Sequence, residues 1–273
     1  MVAPGRAGVV RTAALVVVAA LFLAPLILLL VGSFRPVGLP PPRVGELLGG
    51  PWSLDSYRRL FELVPLAAPA LNSLLVAAIT VPIGLLVASW AGFAAARLPS
   101  RQGAFLAASA VIVLLIPVTS LFVGRLTIFR TAGLTDTLIP LIATSLIGVS
   151  PAFVLVFAWS YRRLPSELFD IASEFGLSPL GMWWRVALPL TRGVTAAIAA
   201  IAFVLTWNDY LGPLIYVSDQ RRATLPLAVG TLAASDGPRQ PIMLAGAVIV
   251  VVPALAVALV VMRRVSRVAE GRR

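Results

Sequence analysis

The sequence predicts an all-α integral membrane protein with six transmembrane helices and one sizeable polar loop, between the fourth and fifth of them. Three observations carry this. Of the 273 residues, 59% are hydrophobic and 12% charged, against about 25% charged in a soluble domain, which needs polar surface to stay dissolved. The charges leave five apolar stretches of at least 23 residues and a sixth, of 26, broken only by Asp209, and a crossing helix needs about 20. Arginines also crowd the loops on one side of the six.

The first span, about residues 12–34, lies between Arg11 and Arg35. Arg6 and Arg11 would suit a signal peptide, but the apolar run exceeds the roughly 7–15 residues of a signal core and no clean small-residue cleavage site follows. It is expected to be retained and to serve as the insertion signal. The stretch from Pro36 to Pro51, rich in Pro and Gly, cannot hold a regular element. Ser53 to Phe61 then reads as a short amphipathic helix at the membrane interface. The second span, 72–96, sits in a run of 34 uncharged residues, and a tight turn from Arg97 to Arg101 leads into the third, 102–124. The fourth is 137–161. The fifth, 193–218, is interrupted only by Asp209, and the sixth, 240–262, ends at Arg263-Arg264. None has the polar face of a soluble helix, so lipid and neighbouring helices must surround each. Residues 1–273 read as a single transmembrane domain without an internal repeat.

Orientation follows from the arginines, which supply all 22 basic residues. With the N-terminus inside, the inner segments hold 13 Arg and four acids, net +9, and the outer ones nine Arg and six acids, net +3. Both termini are therefore expected in the cytoplasm. Anionic lipid and topology account for the overall +11 without nucleic acid.

The chain has no Lys, His or Cys. Without Lys it has neither a Walker A phosphate loop nor Schiff-base chemistry. Without His and Cys it lacks the usual nucleophile pairs, imidazole and thiolate metal sites, iron–sulfur clusters and disulfides. No catalytic residue, metal site or bound cofactor is expected.

The loop from Arg162 to Arg192 is the one large inner loop. Pro165 can open a helix and Glu167 suits its positive end. Leu168, Ile171, Ala172 and Phe175 fall at i, i+3, i+4 and i+7, one apolar stripe, while Glu167, Asp170, Ser173 and Glu174 take much of the other side. Gly176 is placed for a left-handed cap. Ser178-Pro179 signals a second start, and Pro189 introduces the fifth span. The pattern describes a helix–turn–helix under the bilayer that shows an acidic and apolar knob to the cytoplasm. Two readings fit it: an interfacial helix that anchors the loop, or a docking surface for another protein.

This segment, PSELFDIASEFGLSPLGMWWRVALPL from Pro165 to Leu190, resembles the cytoplasmic loop of permease subunits of ATP-binding-cassette importers. That family carries a Glu-Ala-Ala segment, a Gly four residues after its second Ala, and a Leu-Pro pair before the next span. Pro165, Glu167, Leu168, Ala172, Gly176, Ser178, Leu188 and Pro189 match. Asp170 stands for Glu and Ile171 for the first Ala; Phe175 replaces an acid, which appears one place earlier as Glu174. GSFRP (Gly32–Pro36), NSLLVA (Asn72–Ala77), AARLP (Ala95–Pro99), TWNDYLGPLIY (Thr206–Tyr216) and RRATLPLAVGTL from Arg221 narrow the resemblance to the carbohydrate importers of the maltose type, in order across roughly residues 12–265.

The resemblance implies a bacterial plasma-membrane permease for a sugar or oligosaccharide, working with an ATPase dimer, a second homologous permease and an extracytoplasmic solute-binding protein. Residues 165–176 then correspond to the coupling helix, with Glu167, Leu168, Asp170, Ile171, Ala172, Glu174, Phe175, Gly176, Leu188 and Pro189 as the ATPase-coupling set. A permease for a polyamine, amino acid or phosphate is the nearer alternative. An ion-coupled secondary transporter with Asp209 as proton carrier is the further one. Asp209 is the one ionisable residue within a span, which by default marks function. With Trp207, Asn208 and Tyr210 it could line a sugar path; an interhelix hydrogen bond or an outer-interface position is the other reading. Gly84, Gly92 and Gly246 are expected at close helix contacts.

Overall fold

The computed structural model describes residues 6–39, 45, 50–147, 151–234 and 240–270, and every regular element among them is helical. In chain order these are α1 (Arg6–Ser33), α2 (Asp55–Leu63), α3 (Ala67–Arg97), α4 (Ser100–Leu115), α5 (Phe122–Thr131), α6 (Ile139–Ile147), α7 (Pro151–Arg162), α8 (Glu167–Glu174), α9 (Pro179–Met182), α10 (Leu188–Leu190), α11 (Arg192–Trp207), α12 (Leu211–Tyr216), α13 (Leu225–Gly230) and α14 (Gln240–Glu270). A π-helical turn, Trp183–Ala187, joins α9 to α10. Among the described residues three helices are long and apolar enough to cross a bilayer alone: α1, α3 and α14. The number rises to six if each of three bent pairs makes one crossing: α4 with α5, α6 with α7, and the α9–α10 segment with α11. Most of the stretch from Pro36 to Pro51 lies outside the described residues.

The expected third span, 102–124, is not one helix. The chain turns by 78° between α4 and the segment Val118–Thr131. Pro117 has no N–H to continue the ladder, and its ring drives the preceding residue out of the helical region. Ile116 accordingly sits at φ −76°, ψ 118°. The fourth span also bends, by 42° between α6 and α7. The fifth stops at Trp207 and resumes at Leu211. α11 has 16 residues, about 24 Å at 1.5 Å per residue, less than the roughly 30 Å of a hydrocarbon core.

Backbone proximity groups the chain into two compact units. One comprises Met1–Leu66 and Ala228–Val252. In it, residues 12–27 of α1 are exposed on every side. The short amphipathic helix forms as α2 and buries Ser56 and Leu60. It is stitched to the end of α1: Ser33 Oγ and Tyr57 OH share a hydrogen bond of 2.8 Å, and Ser56 Oγ donates to the Arg35 carbonyl at 2.8 Å.

The other unit comprises Ala67–Leu227 and Pro253–Arg273. Its core gathers Ala88 and Phe93 of α3, Phe157 and Tyr161 of α7, Phe169, Trp183, Ala187 and Ile198. α3 and α7 pack closely at Gly92, where any Cβ would lie 2.5 Å from Phe157 Cβ and 2.9 Å from the Val154 carbonyl oxygen. Gly84, by contrast, lines a cavity. Beyond α12 the chain runs irregularly, and side chains satisfy its backbone. Asn72 Nδ2 donates to the carbonyls of Arg221 (3.0 Å) and Ala223 (2.9 Å), and Ser73 Oγ accepts from Leu225 N at 2.9 Å. The Asp136 carboxylate accepts from the backbone N–H groups of Ser218 and Asp219. Asp136 itself takes φ +60°, a left-handed conformation that Asp tolerates better than most residues. In this exposed turn the hydrogen bond from the Arg221 side chain holds the Asp219 carboxyl below the usual carboxylate range.

Candidate functional site

Residues 162–192 fold as two helical pieces on a glycine turn. Pro165 and Ser166 supply the carbonyls that take the first N–H groups of α8, from Leu168 (3.4 Å), Phe169 (2.9 Å) and Asp170 (3.1 Å). Glu167 and Asp170 occupy the first turn, where a carboxylate meets the positive end of the helix. At the other end Gly176 adopts φ +72°. Its N–H reaches the Ser173 carbonyl at 2.9 Å, and the Leu177 N–H reaches that of Ala172 at 3.0 Å. This pair of bonds is the Schellman closure, and it needs a left-handed residue at its centre. A Cβ on Gly176 would meet nothing within 4 Å, so the requirement is one of backbone conformation and not of space. Ser178 then caps α9 by accepting from Gly181 N at 3.3 Å, with Pro179 at the first helical position.

One side of this loop is locked onto the helices behind it. Phe169 is 2% exposed, with its ring 5.8 Å from that of Phe93 and the Arg97 guanidinium 4.5 Å above it. Trp183 Nε1 donates to Ser89 Oγ at 2.9 Å, and Ser89 Oγ shares a 2.6 Å hydrogen bond with Tyr161 OH. All three groups are buried, which makes the knot between α3, α7 and the π turn strong in a low-dielectric setting. Leu188 packs against the same core, and Pro189 is exposed.

The other side faces out. Leu168, Ile171 and Phe175 are exposed, Phe175 to 82%, and Glu167, Asp170 and Glu174 are exposed beside them. The stripe read from the sequence is thus divided: Ala172 turns inward with Phe169, and the other three turn away. Sequence reasoning passed over Phe169, Arg97, Ser89, Tyr161 and Trp183. An aromatic three residues before Ala172 was the available signal for Phe169.

A second feature is a cavity of about 180 Å³ among α3, α6, α7 and α11, lined by Thr80, Gly84, Ser145, Phe153, Thr206 and Asp209 among others. Asp209 lies in the break after α11, where its Oδ1 accepts from Gly212 N at 3.1 Å. A Cβ on Gly212 would collide with that carboxylate. Of the four residues expected to line one path, Asp209 alone lines this cavity. Trp207 is buried and stacked on Phe203, their rings 5.5 Å apart. Asn208 Nδ2 turns back to the Val204 carbonyl at 2.9 Å. Tyr210 is exposed. Thr80, Ser145 and Thr206 supply hydroxyls that the sequence alone did not single out.

No family model matches the chain. The sequence is similar to the lactose transport system permease protein LacG of Rhizobium radiobacter, 27% identical over 78% of this chain and 77% of that protein. It is similar to the trehalose transport system permease protein SugB of Mycobacterium tuberculosis, at 26% over 81% of each. It is also similar to the arabinooligosaccharides transport system permease protein AraQ of Halalkalibacterium halodurans, at 29% over 84% of this chain and 82% of that one. Among solved structures, a bacterial ABC transporter involved in the import of the acidic polysaccharide alginate has the same fold, with a TM-score of 0.73 over 96% of this chain and 99% of that chain at 17% identity. ATP hydrolysis in such importers belongs to a separate subunit, and the permease is not an enzyme. With its apolar helices and its capped loop, the chain is similar in sequence, over about four fifths of its length, to permease proteins of sugar transport systems, and it shares the fold of an ATP-binding-cassette importer.

Proposed function

We propose that this chain carries a sugar or oligosaccharide across a bacterial plasma membrane by alternating access, paired with a second permease, fed by an extracytoplasmic solute-binding protein and driven by a separate ATPase dimer. The chain crosses six times with both termini in the cytoplasm, and α8 is the element the ATPase grips. The carrying observation is the division of α8 into a face locked on the core and a face that shows Leu168, Ile171 and Phe175 among three carboxylates. Carboxylates beside an anionic lipid surface repel it, so the knob suits a protein groove better than a bilayer interface. A short rigid helix fastened to α3 and α7 can pass a rigid-body displacement to them. The relatives named for lactose, trehalose and arabinooligosaccharides support a sugar of this class. The cavity holding Asp209, Thr80, Ser145 and Thr206 offers a carboxylate and hydroxyls to a polyhydroxylated solute on its way through.

Reconstitution tests this. In vesicles the chain alone should neither hydrolyse ATP nor accumulate sugar, and adding the ATPase, the companion permease and the binding protein should bring ATP-driven uptake. Concentrative uptake by the chain alone, abolished by a protonophore, would establish a secondary transporter instead. Reporter fusions at Gly103 and Arg130 should be active as cytoplasmic and extracytoplasmic reporters respectively.

A further inference from the structure

A groove of about 480 Å³ runs between α3, α4 and α7, walled by Ala95, Gly103, Ala107 and Ala158 among other small or apolar residues and closed at one end by Trp159 and Arg162. Its chemistry is lopsided. The trough is aliphatic, and the cationic end has no acid among its lining residues. Arg162 Nη2 donates to the Ala95 carbonyl at 3.2 Å, which sets the guanidinium over the groove's end near Gly103. Arg163 lies 3.5 Å from the centroid of the Trp159 ring, which is itself half-exposed. Among the described residues neither arginine has an ion-pair partner; the pairs present are Arg59 with Glu62 and Arg221 with Asp219.

From this geometry we infer that the groove binds one anionic phospholipid, with an acyl chain in the alanine- and glycine-lined trough and the phosphate at Arg162 and Arg163. A phospholipid has the same polarity as the groove, an anion above a hydrocarbon chain, and a Trp-Arg pair at a helix end is suited to the headgroup level. A helix from another subunit would fill the trough but would leave the two cations without counter-charge. The site does not depend on the transport reading, because it concerns the lipid alone.

The test uses the full chain, purified in mild detergent with whatever subunits accompany it. Bound lipid is counted by native mass spectrometry, and thermal shifts are recorded with added phosphatidylglycerol, phosphatidylcholine or inorganic phosphate. Phosphatidylglycerol should remain bound and raise the melting temperature, while phosphatidylcholine and phosphate should do neither. The double variant R162Q/R163Q should bind phosphatidylglycerol about thirtyfold more weakly, as expected for two cations near a lipid surface. Arg162→Lys, which keeps the charge, should retain it, and Arg264→Gln should leave it unchanged. Ala107→Trp fills the trough without touching either arginine, and should expel the lipid even if the double variant folds poorly. Equal retention of the two phospholipids, unchanged binding in R162Q/R163Q, or a photo-crosslinker at Ala107 that captures a protein subunit in place of lipid would each overturn the assignment.

Discussion

The 162–192 loop and the 217–225 segment belong to one compact unit, and they solve the same problem in opposite ways. Each leaves a membrane helix and must satisfy its backbone before the next one. The first does so internally: α8 and α9 bond their own carbonyls, Gly176 and Ser178 close the ends, and the side chains are left free to face a partner. The second is irregular apart from one 3-10 turn at Gln220–Arg222, and takes further hydrogen bonds from Asn72, Ser73 and Asp136, which are 149, 152 and 82 residues away from their partners in sequence. Helical loops liberate side chains for recognition; irregular ones consume side chains from elsewhere.

That contrast can be broken experimentally, and the largest effect should come at the glycine turn. Gly176→Val forces a β-branched residue into a left-handed conformation at about 1–2 kcal/mol of local strain and redirects the chain out of α8. Normal amounts of membrane protein should be made, with uptake reduced at least roughly tenfold and little ATPase recovered in a pull-down. Asp170→Lys, on the outward face, should act in the same direction through charge. Wild-type association and uptake in both variants would reduce the loop to an interfacial anchor.

At the other end the effect should be on stability. Asn72→Ala removes the donors to the Arg221 carbonyl and the buried Ala223 carbonyl, a loss of about 2–3 kcal/mol, and should lower the melting temperature and the yield while leaving ATPase association intact per molecule inserted. If Asn72→Ala and Gly176→Val gave the same profile, the distinction between a free and a consumed set of side chains would fail. Trp183→Phe keeps an aromatic side chain but removes the N–H that meets Ser89 and leaves a small void, and should cost about 1–3 kcal/mol, read as a modest shift in thermal unfolding. The smallest effect is expected for Gly181→Val. Its Cβ would meet Leu177 Cδ2 at 3.1 Å, the far end of a flexible side chain, and Ser178 Oγ at 3.5 Å, an ordinary contact, so uptake should stay within about twofold of wild type, as for substitutions away from any special conformation.

What was legible in the sequence follows the same division. The helical loop could be read residue by residue, because caps are local: Gly176 and Ser178-Pro179 announced the cap and the second start that the structure shows. Which face of α8 would be buried could not be read. Apolar residues lie on both sides of an eight-residue helix, and the choice is made by Phe93 and Arg97, some 70 residues earlier. Asn72 and Ser73 were visible as the start of a family-like NSLLVA stretch, yet their partners lie on a distant loop. Charge-free length located the apolar segments but concealed their breaks. The 102–124 run contains Pro117, and a count of uncharged residues does not register that a proline ends a helix. Asp209 was conspicuous for its charge, whereas the hydroxyls of Thr80, Ser145 and Thr206 gave no such signal.

Gly92 carries a mechanical consequence. At Gly92 the backbones of α3 and α7 meet without room for a methyl group, and packing this close resists sliding or rolling of one helix over the other, as in a single beam. A beam transmits force without absorbing it. On the coupling proposed above, a displacement entering at Phe169 and Trp183 is taken up where the chain has joints: at the 84° bend between the α9–α10 segment and α11, and at the break of residues 208–210 beside Asp209. Stiffening those joints should stall the machine as surely as removing its drive, whereas the beam itself admits no larger residue at position 92.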